Sequence, residues 1–84
     1  MGKQHKTLEA VLRGTSDSNV SFSDLLSLLR ALQFDGHVKG DHHTFYRPGI
    51  AEIINLQPRG SKAKAYQVKQ VRGIILRYGL GDSL

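Results

Sequence analysis

The sequence predicts a small α+β domain in which helices cover one face of a three-stranded antiparallel sheet. Three observations lead there. Two segments with apolar residues at helical spacing bracket three short runs, 37–40, 42–47 and 51–57, of which the second and third are rich in β-branched and aromatic residues. Turns centred on glycine and proline separate those runs. And 84 residues with 39% hydrophobic content close one small core, with too little surface left to bury for a second. The expected order is α-β-β-β-α with an extra N-terminal helix, in a single domain spanning 1–84 whose core covers 21–80.

The extra helix is placed at 6–13, where Leu8, Val11 and Leu12 share a face and Gly14 ends the pattern. Residues 14–19, GTSDSN, read as a loop. The next helix carries the clearest start signals. Ser21 can cap it, Asp24 stands where a capping-box acid stands, and Val20 can pack on Leu25 as a staple. Leu25, Leu28, Leu29 and Leu32 then make one apolar stripe, read as ordinary core, with Ser23, Ser27 and Arg30 outward. Asp35-Gly36 reads as the stop.

Gly40-Asp41 centres the turn between the first two strands, and Pro48-Gly49 the turn after the second. Residues 58–64, PRGSKAK, read as a basic loop. A last helix is expected from Ala65 to Tyr78, buried along Val68, Val71, Ile75 and Tyr78 and widened by Ile74 and Leu76. Gly73 lies in its middle, at a cost of about 1 kcal/mol relative to alanine, so either close packing on the sheet requires it or the helix is loose there. Gly79 ends the helix, and the closing GDSL is expected to fray.

Composition narrows the function. Without cysteine there is no disulfide and no thiolate metal site, and four scattered histidines do not supply a Cys/His zinc set. No apolar run approaches the roughly 20 residues of a membrane-spanning helix, and the first residues lack the apolar core of a signal peptide, so a cytoplasmic protein is expected. Lys and Arg outnumber Asp and Glu by 12 to 7, which suits a polyanionic partner. The positive charge is concentrated late: residues 57–77 carry Arg59, Lys62, Lys64, Lys69, Arg72 and Arg77 and no acid.

The chemistry is sought in residues 40–49, GDHHTFYRPG. Side chains alternate across a strand, so His42, Thr44 and Tyr46 share one face and His43, Phe45 and Arg47 the other. If Phe45 enters the core, His42 stands on the open face. If Tyr46 enters it, the roles reverse and His43 stands out beside Arg47. An outward imidazole titrates near neutrality and can take the proton of a ribose 2′-OH, after which that oxygen attacks the adjacent phosphate while cations stabilise the developing charge. Such a route cleaves RNA and spares DNA. Tyr46 or Phe45 can stack an unpaired base, and Lys39, Arg47, Arg59, Lys62 and Lys64 can hold phosphates. Adjacent histidines on opposite faces cannot both bind one ion, so no metal and no other cofactor is expected. His5 and His37 have no paired acid and read as surface.

At these residues the chain resembles the HicA family, the toxin half of bacterial type II toxin-antitoxin pairs. The resemblance covers about residues 23–80. It consists of a leucine-rich helix ending LLRALQF, a Gly-Ser-His-type strand start in Gly40-Asp41-His42-His43, an aromatic and basic strand closing at Arg47-Pro48-Gly49, and a last helix reading VKQVRGIILRYGL. It implies a fold like that of double-stranded-RNA-binding domains, an mRNA-cleaving activity (an mRNA interferase), and a cognate HicB-like antitoxin as partner beside mRNA. By the family pattern the reactive histidine maps to His42, with His43 as the second candidate. Three departures stand out. Asp41 replaces the usual serine and sets a negative charge beside the phosphate path. The third strand ends Leu56-Gln57-Pro58-Arg59-Gly60 without the family's Pro-x-His. The helix at 6–13 lies beyond the minimal family length. The alternative is a non-catalytic RNA- or protein-binding module of the same fold.

Overall fold

The computed structural model describes residues 2–84. Three helices, α1 (Lys3–Arg13), α2 (Phe22–Ala31) and α3 (Ala65–Tyr78), accompany a sheet of β1 (Asp35–Lys39), β2 (His42–Tyr46) and β3 (Ile54–Leu56), all antiparallel with β2 in the centre. A second ribbon, β4 (Pro58–Arg59) and β5 (Lys62–Ala63), forms where a basic loop was expected. The domain is thus α+β with a three-stranded antiparallel sheet, as the sequence predicts.

Helix α2 begins as its cap residues dictate: the Ser21 hydroxyl accepts the backbone N–H of Asp24 at 3.4 Å. Asp24 is not a capping-box acid, however, since its carboxylate pairs with Lys3 at 3.0 Å and so ties α2 to the start of α1. The helix also stops earlier than Asp35-Gly36. Gln33 takes a left-handed conformation (φ 69°), the Phe34 N–H returns to the Leu29 carbonyl, and Asp35 and Gly36 already belong to β1. The Asp-Gly pair misleads because Gly36 is needed for a different purpose. A Cβ there would lie 2.7 Å from the Phe45 ring, which is buried against that bare backbone.

The core joins Leu8 and Val11 of α1, the α2 leucines, Phe45, Ile54 and Leu56 of the sheet, and Val68, Val71, Ile74 and Ile75 of α3. Fully burying each such side chain contributes roughly 1.5–3 kcal/mol. Helix α1 is therefore part of the core and not an appendage. Cross-strand partners fix the sheet's faces. Gly36, Phe45 and Ile54 stand in one row and Val38, His43 and Leu56 in the next, all on the helical side. Asp35, His37, Lys39, His42, Thr44, Tyr46 and Asn55 form the other face, which no helix covers.

One expectation for α3 fails, and one of two alternatives is closed. Leu76 is 66% exposed and does not widen the buried edge. Gly73 is exposed too, and a Cβ placed on it meets nothing within 4 Å, so no close packing calls for it. The last residues do not fray either: Leu80–Ser83 make a 3-10 turn, Leu80 is buried, and Leu84 packs on the core.

One polar cluster locks α1 to α3. Arg72 donates from Nη1 and Nη2 to the two carboxylate oxygens of Asp17, at 2.9 and 3.2 Å, and again from Nη1 to the Val11 carbonyl at 3.1 Å. Both side chains are largely buried, and the Arg72 hydrogen bond outweighs desolvation to hold the Asp17 carboxyl below its usual range. Arg77 and the Tyr78 hydroxyl likewise engage Glu52, at 2.7 and 2.6 Å. Two of the six cations in 57–77 are thereby neutralised within the fold, and the positive field is narrower than the sequence suggests.

The two glycines should respond oppositely in denaturant unfolding. Gly36→Ala is expected to destabilise by about 1–3 kcal/mol through the clash with Phe45, whereas Gly73→Ala is expected to stabilise by about 1 kcal/mol. A neutral Gly36→Ala would contradict the packing described. The Asp17 pair makes a pH prediction. Because its folded carboxyl titrates below the unfolded one, its stabilisation is full above the ordinary aspartate range and is lost as pH falls through the lowered value. The stability gap between wild type and Asp17→Asn should be about 1–3 kcal/mol near pH 7 and shrink progressively as pH falls below the ordinary aspartate range. A gap that widens in acid would contradict it.

Candidate nucleic-acid interface

The candidate site begins at a two-residue turn. Lys39 of β1 and His42 of β2 are cross-strand partners, leaving only Gly40 and Asp41 to reverse the chain. Gly40 takes the positive φ (62°) that such a tight reversal requires at its first central position. Lys39 and His42 therefore stand side by side on the uncovered face, both exposed.

Of the two arrangements left open by the strand's alternation, the structure has the one with Phe45 in the core. Phe45 is 1% exposed and Tyr46 40% exposed. His42 accordingly points to solvent, with Nε2 3.8 Å from Asp41 Oδ1, too long for a hydrogen bond. His43 faces the helices, its ring edge-on to Phe22 with centroids 5.0 Å apart, and its Nδ1 is buried without a hydrogen-bond partner. The doublet is divided: one imidazole meets solvent, the other is half-buried against Phe22 at the start of α2.

Asp41 is held in place. Its Oδ2 accepts from the Gln57 amide at 3.1 Å, and Gln57 Oε1 in turn accepts from Lys64 Nζ at 3.4 Å. The Gln57 hydrogen bond is the largest influence on the Asp41 carboxyl. Together with a bond to its own backbone N–H and the nearby His42 and Lys64 charges, it outweighs desolvation and holds the carboxyl below its usual range. Asp41 is thus ionised at neutral pH.

Gln57 is itself fixed by α3. The Gln67 amide is buried, and with Nε2 turned to the Gln57 carbonyl it makes both bonds of a peptide-like pair, donating at 3.2 Å and accepting from the Gln57 N–H at 2.9 Å. The opposite orientation sets like against like, which a buried amide does not tolerate. A path of polar contacts therefore runs from inside α3 through Gln57 to Asp41 beside the exposed imidazole. The sequence reading missed both glutamines. Gln67 carried a signal, since it precedes Val71 and Ile74 by four and seven residues and so lies on the apolar stripe of its helix. Gln57 carried none.

The remaining cations divide into two groups. Lys64 stands at the start of α3 next to Gln57, and Arg59 and Lys62 project from the β4–β5 ribbon between those two residues. That ribbon is fastened to the N-terminus of α2, where the Phe22 N–H donates to the Ser61 carbonyl and the Ala63 N–H to the Val20 carbonyl, at 3.0 and 2.9 Å. Arg59, Lys62, Lys64 and Lys39 form no ion pair among the described residues. Arg47 belongs to neither group. Its Nη1 donates to the Leu32 carbonyl at 3.1 Å, satisfying the C-terminal end of α2. Phe45, being buried, offers no surface on which a base can stack.

At the far end of the uncovered face Tyr46 lies nearly parallel to His37, with centroids 5.9 Å apart and an interplanar angle of 19°. Between the two ends Thr44 donates to the Asn55 side-chain oxygen at 3.0 Å. His5 meets none of these residues; its Nδ1 accepts the Gly2 N–H at the start of α1. Among the described residues, no three His, Cys, Asp or Glu side chains are gathered to hold a metal ion, and no helix is long and apolar enough to cross a membrane. Compared with known proteins, the chain matches no family model, no curated protein and no solved structure.

Proposed function

We propose that this protein is an endoribonuclease of the HicA kind, the toxin of a type II toxin-antitoxin pair, with a fold related to double-stranded-RNA-binding domains and an antitoxin that covers the uncovered sheet face. One observation supports the reading above the rest: a solvent-exposed imidazole, His42, stands on an uncovered sheet face beside the free ammonium of Lys39, with Lys64 joined to the same corner through Gln57. Arg59 and Lys62 extend the positive surface from there.

In the proposed reaction His42 accepts the proton of a ribose 2′-OH. The freed oxygen bonds to the adjacent phosphorus as the bond to the 5′ oxygen breaks, leaving a 2′,3′-cyclic phosphate, and the departing oxygen takes a proton from water. Lys39 and Lys64 stabilise the charge that builds on the phosphate. His43 is not given a chemical step, because its ring packs against Phe22 on the helical side. Arg47 is not counted among the phosphate ligands, because it serves the end of α2.

A second reading rests on Asp41. An ionised carboxylate 3.8 Å from the imidazole opposes the approach of a phosphate, which suits a non-catalytic RNA- or protein-binding module. Activity separates the two. Purified protein is expected to shorten single-stranded RNA in the presence of a chelator. His42→Ala is expected to abolish cleavage, while circular dichroism and most of the salt-sensitive RNA affinity persist. Affinity without new RNA ends would leave the binding module. Growth arrest on expression, relieved by co-expressing a small protein encoded alongside, would distinguish a toxin from a general nuclease.

A further inference from the structure

We infer that the uncovered face of the sheet is a track for single-stranded RNA, with Tyr46 and His37 forming a stacking platform for one unpaired base at the end opposite His42. The inference rests on the ribonuclease reading for its choice of nucleic acid and adds the form of the substrate and the place where a base is held.

The side chains of this face carry the argument. In the three strands they are Lys39 and His42 at one end, His37, Thr44 and Asn55 in the middle, and Asp35 and Tyr46 at the other, with no aliphatic residue among these seven. What these strand positions present to a ligand is chiefly charge and hydrogen-bonding groups, with the exposed Ile53 just before β3 at the sheet edge. The face also offers two flat rings already stacked at 19°, both exposed. A base laid on the outer side of that pair extends an existing stack, and His37 holds Tyr46 so that little rotamer freedom is lost on binding.

Charge sets the direction. The His42 end has Lys39 and Lys64, the groups a phosphate needs, with Arg59 and Lys62 beyond. The Tyr46 end has Asp35 as the direct cross-strand partner of Tyr46, and its carboxylate repels phosphate while accepting N–H donors from a base edge. Backbone is thus favoured at one end and a base at the other. His42 and Tyr46 lie four residues apart on one face of β2, about 13 Å along the strand, a distance that a short extended strand covers. In a duplex the bases are stacked on one another and unavailable to such a platform. The amide of Asn55, its oxygen engaged by Thr44, presents its N–H donors midway.

Binding of an uncleavable, 2′-O-methylated single-stranded RNA, followed by fluorescence anisotropy, reads the platform apart from the chemistry. Tyr46→Ala is expected to weaken it by roughly tenfold or more, His37→Ala by less, and Tyr46→Trp is expected to restore it, which a merely misfolded Tyr46→Ala protein would not accompany. The same sequence as a duplex should bind more weakly than the single strand. Equal affinity for wild type and Tyr46→Ala, or for duplex and single strand, would overturn the inference even if the protein cuts RNA. Stacking-dependent binding by a protein that never cuts RNA would uphold it and remove the ribonuclease reading. No binding to RNA of any form would overturn both and leave the face to a protein partner.

Discussion

The burial of Phe45 against Gly36 is the constraint from which the rest of the site follows. A strand's side chains alternate, so one committed residue fixes the direction of all the others, and a slip by one position would exchange the two faces. Phe45 is committed because its ring lies on a residue without a Cβ and is enclosed by the leucines and isoleucines of the core. His42, Thr44 and Tyr46 face solvent as a consequence, whatever their own preferences. An imidazole placed in this way costs nothing to keep exposed. Its neighbour His43 meets the opposite circumstances, with a buried nitrogen that finds no partner; an unsatisfied buried polar atom of that kind opposes folding.

Around this frame the polar contacts form a second level of order. Gln67 holds the backbone of Gln57, the Gln57 side chain holds Asp41, and Asp41 stands beside His42. The same glutamine receives Lys64, so a carboxylate, an imidazole and an ammonium are gathered at one corner without a direct hydrogen bond from the carboxylate to either of the other two. The β4–β5 ribbon leaves and returns at this corner and is stitched to α2, which turns what would be a mobile basic loop into a fixed projection. Elsewhere the fold consumes its charges: Arg72 with Asp17, Arg77 with Glu52, and Lys3 with Asp24 join one element to another. The distinction between these engaged cations and the free ones at the His42 corner separates structural charge from charge available to a ligand.

Much of this was legible in the sequence, and the reasons differ by element. Helix α3 was placed from Ala65 to Tyr78 because its apolar spacing and Gly79 agree on both ends. The start of α2 was legible from Ser21, and the outward direction of His42 followed once Phe45 was taken as core. What failed depended on contacts between distant segments. Asp35-Gly36 reads locally as a helix stop, yet the glycine serves a ring nine residues away. The PRGSKAK segment has loop composition but its two arms pair with each other and bond to the backbone at and just before the start of α2. Arg47 looks like a phosphate ligand until the open end of α2 is seen beside it. Leu76 fits the periodic pattern and still faces water, since no element lies opposite it. The glutamines at 57 and 67 illustrate the same limit: one sits on an apolar stripe and was detectable, the other acquires its role only through partners.

The division of the histidine doublet can be measured without assuming any activity. Limited treatment with diethyl pyrocarbonate, followed by fragmentation mass spectrometry of the peptide holding both rings, reports how readily each is modified. The account predicts rapid modification at His42 and slow modification at His43, with the difference lost on unfolding. Faster reaction at His43, or equal protection of both in the folded protein, would mean that Phe45 does not set the phase of β2.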